Sequence, residues 1–268
     1  MIPRIVVICL ILLAGNVLPA ADEKADGWVL AVHGTWTSGA KTLKLGDPVK
    51  VNDKVRGTGA PGDRLTVTLL DGKPHEYTCE SKPDCTSVIE PFRPGPDALP
   101  TRIFQALSTL ATHREVMPVS AISRGAEGLR QAVLPLDGNQ LDLSPAVKQA
   151  DPGEYTLSLR PISGDRTAKP QARVRGSVHW DPPALTAAAV PGLTPGLYEL
   201  AMNSTEGDSI GSVTVLVASP ADYDPAHQTF EEGKQVLATW PQGVDPAAIE
   251  AFQSAILFHF HLSQTSRP

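Results

Sequence analysis

An internal echo constrains this chain more than any other feature. "PAVKQADPGEYTLSL" (145–159) lines up with "AAVPGLTPGLYELAM" (188–202) at a fixed offset of 43 positions. In both copies a Pro-Gly turn is followed by one residue and then by a tyrosine that opens an alternating run. The apolar series is Tyr155, Leu157 and Leu159 in the first copy, and Tyr198, Leu200 and Met202 in the second. Side chains two apart share one face of a strand, so each copy predicts a strand headed by a buried tyrosine.

The composition agrees with a mainly β chain. Glycine and proline are abundant (22 and 25 residues) without low-complexity runs, and aromatic residues make up only 5%. Turn formers spread this way suit many short strands. A tyrosine just after a turn can bury its ring and return its hydroxyl to nearby backbone, as the corner tyrosine of an Ig-like sandwich does. Each copy is too short for a sandwich of about 100 residues. The two therefore read as halves of one Ig-like β-sandwich over 117–218, with Tyr155 and Tyr198 as its structural corners. Further strands are expected at "LRQAVLPL", "LDLSP", "RVRGSVHW" and "SVTVLVAS".

The first twenty residues have the form of a cleaved signal peptide. "MIPR" supplies a positive start, "IVVICLILLAG" an apolar core too short to span a bilayer, and "NVLPA" a break ending in alanine. Beyond Cys9 in that leader, the chain holds two cysteines, Cys79 and Cys85, in "CESKPDC". A close pair in an exported chain predicts a disulfide at a hairpin tip. Five intervening residues, Pro83 among them, do not make a redox motif, and no nearby His pair completes a zinc site. The expected location is periplasmic or secreted.

From 27 to 94 the pattern is β throughout. "RLTVTLLDG" alternates Leu65, Val67 and Leu69 against Thr66 and Thr68, then turns at Asp71-Gly72, and "HEYTC" returns beside it. The stretch "LKLGDPVKVNDKVRGTGAPGDRLTVTLLDGK", within residues 43–78, resembles the FecR-like extracytoplasmic β domain. The shared order is an apolar-Gly-Asp turn, a short strand, a loop, and an alternating strand ending in Asp-Gly. The resemblance implies a small β module in a periplasmic setting, and it carries over no site residues. Unlike the signalling proteins that name the family, this chain shows no internal span leading to a cytoplasmic tail.

Residues 95–116 read as a breaker-rich linker, "PGPDALP", followed by an amphipathic helix. "TRIFQALSTLATHRE" sets Ile103, Phe104, Leu107, Leu110 and Ala111 on one face. The tail, 219–268, predicts a helical hairpin: "DYDPAHQTFEEGKQVLATW" and "DPAAIEAFQSAILFHFHL" each open with Asp-Pro, joined through "PQG". An apolar stripe of Ile249, Phe252, Ile256 and Phe260 calls for a surface to cover.

"SAISRGAEG" (120–128) and "AVHGTW" invite a different reading, a secreted serine hydrolase with Ser123 as nucleophile and His33-Gly34 as oxyanion loop. The elbow needs glycine on both sides of the serine, and Ala121 replaces the first. Downstream there are turns and alternating strands, not the βα units that would deliver an acid and a base. His179, His227, and the pair His259 and His261 carry no ligand or triad spacing. Asp222 and Asp224 lack the glycine and distal carboxylate of a calcium loop, and Arg166, Lys169, Arg173 and Arg175 read as a solvated face. No catalytic residue, metal or cofactor is expected. A net charge of -6 provides no basic field for nucleic acid. The expectation is an exported, non-catalytic recognition or scaffolding protein whose partner is a protein or envelope component, without a membrane span once the leader is cleaved.

Overall fold

The computed structural model describes residues 25–79, 85–92, 99–113, 128–146, 153–162, 172–180, 183–187 and 189–265. The leader, the basic residues Arg166 and Lys169, and Ser123 lie outside them. Among the described residues the protein is mainly β, with more residues in strands than in helices.

Eight short strands build the N-terminal unit: β1 (Gly27–His33), β2 (Trp36–Ser38), β3 (Lys41–Thr42), β4 (Pro48–Val49), β5 (Lys54–Gly57), β6 (Arg64–Leu69), β7 (Pro74–Thr78) and β8 (Cys85–Val88). They form two four-stranded sheets, in the orders β4-β1-β6-β7 and β3-β2-β5-β8. Turn carboxylates close the loops: the Lys44 N–H donates to Asp47 (2.8 Å) and the Lys50 N–H to Asp53 (2.9 Å). Leu65, Val67 and Leu69 point into a core with Val29, Trp36, Val55 and Ile89, as their alternation predicts. Thr66 and Thr68, expected outward, are fully buried too. The second face of that sheet is covered, and Trp28 and Leu30 of β1 belong to a separate, helical core.

Cys79 and Cys85 are joined, with Cα atoms 5.4 Å apart. The bridge does not close a hairpin tip as expected. It follows β7 of one sheet and opens β8 of the other, so it staples two sheets that share no hydrogen-bonded ladder.

Over the span expected to form the sandwich the strands are β9 (Ala132–Asp137), β10 (Gln140–Leu141), β11 (Gly153–Pro161), β12 (Ala172–Trp180), β13 (Pro183–Ala187), β14 (Gly196–Ser204) and β15 (Ser209–Ala218). β13 is not among the expected strands, and of "LDLSP" only Leu141 is strand, with a 3-10 turn at Ser144–Ala146. These strands hydrogen-bond into one seven-stranded sheet, β10-β9-β15-β14-β11-β12-β13, not into two facing sheets. All its ladders are antiparallel except β15–β9. The sheet curls: the Val190 N–H, just past edge strand β13, donates to the Asn139 carbonyl in the β9–β10 turn at the other edge (2.8 Å). Its concave face holds Leu134, Leu136, Tyr155, Leu157, Leu159, Tyr198, Leu200, Met202 and Val215. The curl supplies from one sheet the enclosed core for which two were expected.

The opposite face presents Val133, Leu197, Leu216 and Ala218 to three helices, α1 (Thr101–His113), α2 (Pro220–Ala238) and α3 (Pro246–Thr265). Ile103 and Leu107 of α1, Phe230 of α2, and Phe252 and Ile256 of α3 meet there, together with Trp28 and Leu30 from β1. The helical layer thus lies between the two β units and belongs to both. α2 and α3 make the expected hairpin, and α3 is capped by Asp245, whose Oδ1 accepts from the Ala247 N–H (2.9 Å). α2 starts earlier than its Asp-Pro pair suggests. Pro220 takes the first position, where its missing N–H costs nothing. The N–H groups of Asp222 and Tyr223 reach back to the Ser219 carbonyl (3.0 and 2.9 Å), which places Pro225 inside the helix. Among the described residues no helix is long and apolar enough to cross a membrane.

Candidate functional site

Three ionisable residues, His33, Glu76 and Asp245, meet where the α2–α3 turn touches the N-terminal unit. His33 ends β1, and Gly34 turns the chain in the left-handed region (φ 78°). A side chain at Gly34 would collide with the carboxylate of Asp63, which is itself held by the Thr58 hydroxyl. The His33 ring turns toward the cap of α3. Its Nε2–H donates to Asp245 Oδ2 at 2.5 Å. The carboxylate is nearly buried (6% exposed), whereas the imidazole side chain is 53% exposed. On the other side, the Asp245 backbone N–H donates to Glu76 Oε1 on β7 (3.1 Å). Close by, the Trp240 indole N–H donates to the carbonyl of Gly72 in the β6–β7 turn (2.8 Å).

With its Nε2–H engaged by a carboxylate, a neutral His33 keeps Nδ1 as a proton acceptor. Chemically the pair is a base and its orienting acid. Among the described residues no side-chain hydroxyl is hydrogen-bonded to it, and Asp245 serves two helical duties at once, capping α3 and receiving His33. The sequence shows Asp245-Pro246 as a helix start. Nothing local pairs that start with His33, 212 positions away, or with Glu76, 169 away.

The remaining candidates are dispersed. The His259 Nδ1 lies 2.8 Å from the Thr109 hydroxyl of α1, and His261 packs by Gly196 at the start of β14. Burial holds both imidazoles below their ordinary range. His227 stacks on Tyr223 (centroids 5.2 Å apart, planes at 9°), whose phenol is pushed up by burial and then by the charge of Asp142. Among the described residues no group of three His, Cys, Asp or Glu side chains is placed to hold a metal ion. Tyr198 is 2% exposed, and its hydroxyl donates to the Thr194 carbonyl four residues upstream (2.7 Å), the corner geometry expected of it. Tyr155 is likewise buried, at 7%.

Compared with family models, with curated proteins and with solved structures, the chain finds no match.

Proposed function

We propose that this is an exported, non-catalytic recognition or scaffolding protein of the cell envelope, its N-terminal unit a FecR-like β module. The observation that carries the reading is the Cys79–Cys85 bridge between two sheets. A staple of that kind persists in oxidising compartments and is rare where thiols are kept reduced. The signal-like leader adds support. So does the use made of polar groups: Asp47, Asp53 and Asp63 hold turns, and Asp245, Glu76 and His33 hold a helix cap.

Cell fractionation with thiol trapping tests this. The tagged chain is expected in the envelope or secreted fraction, processed near Ala21, with no free thiol before reduction. A cytoplasmic protein with two alkylatable cysteines would overturn it.

One observation favours a second reading, a secreted serine hydrolase: the His33–Asp245 bond has the form of a base with its orienting acid. A serine-directed phosphonate decides between them. No labelling is expected, whereas stoichiometric labelling at Ser123, lost in Ser123→Ala, would establish the hydrolase.

A further inference from the structure

No further inference is drawn: the strongest candidate, the small cleft between α2 and the start of β9, has its Lys234 neutralised by Glu231 and is left with the exposed Arg130 guanidinium, which alone selects no class of ligand.

Discussion

Ser158 pairs with Ala201 across the β11–β14 ladder, and the two stand 43 positions apart, the offset of the sequence echo. A local two-fold axis through the sheet between them exchanges Tyr155 with Tyr198, Leu157 with Leu200, and Leu159 with Met202. The copies are therefore neighbours, running antiparallel, with their apolar series on the same concave face. Each tyrosine enters that core from one end of the ladder. Tyr155→Ala and Tyr198→Ala should each cost about 3–5 kcal/mol, the range for buried large aromatics. Tyr198→Phe should cost about 1 kcal/mol by losing its bond to Thr194. Urea unfolding of the three variants measures this.

The inter-sheet disulfide makes a second expectation. Its loop is short, with a sequence separation of 6, so reduction should lower stability by about 2 kcal/mol in the chain-entropy model. Gly57 lies against it: an added Cβ would come 2.5 Å from Cys79 Sγ and 3.2 Å from the Trp36 ring. Gly57→Ala should therefore destabilise by about 1–3 kcal/mol, as overpacking does. Unfolding curves with and without reductant separate the two effects.

How much of this was legible depends on whether a residue's partner is close in sequence. Periodicity and turn residues place the strands around Leu65 and Tyr198, the helix carrying Ile103, and the helical pair, because those signals repeat within a few positions. The curl of one sheet into its own core was not legible, since it depends on Val190 reaching Asn139. Thr66 and Thr68 look like surface residues because their strand cannot record that helices will cover its second face. His33 has no carboxylate partner within its own stretch, because that partner, Asp245, comes from the far end of the chain.

α2 and α3 touch through a glycine. A Cβ on Gly233 would collide with Ile256 Cδ1 and lie 3.5 and 3.6 Å from Ile103 and Phe252. Gly233→Val should cost about 1–3 kcal/mol by overpacking the helical core, and thermal melting measures the loss. The substitution should leave the reactivity of the Cys79–Cys85 bridge unchanged, because that bridge sits in a different core.

Acid should weaken the fold through His259 and His261. Burial depresses both, so the folded chain protonates them only at a lower pH than the unfolded chain does. As pH falls through about 6.5, the unfolded chain takes up protons that the folded chain refuses, and stability drops. Denaturant midpoints between pH 7.5 and 5.5, roughly one unit either side of the ordinary imidazole value, should fall toward acid. The slope should flatten in His261→Phe. An equal slope in that variant would assign the acid sensitivity to other groups.

The helical layer closes the chain on itself. Its core joins Trp28 and Leu30, near the first described residues, to Phe252 and Ile256, near the last. The two-sheet unit has its own interior, and α1 follows it closely and meets Trp28, yet α3, which completes the cover of that face, comes more than 150 residues after the unit ends. Loss of the last helix would therefore uncover both β units at once. A nascent or cut chain of this design is a sticky one, and a holding chaperone has a single, well-defined window in which to act.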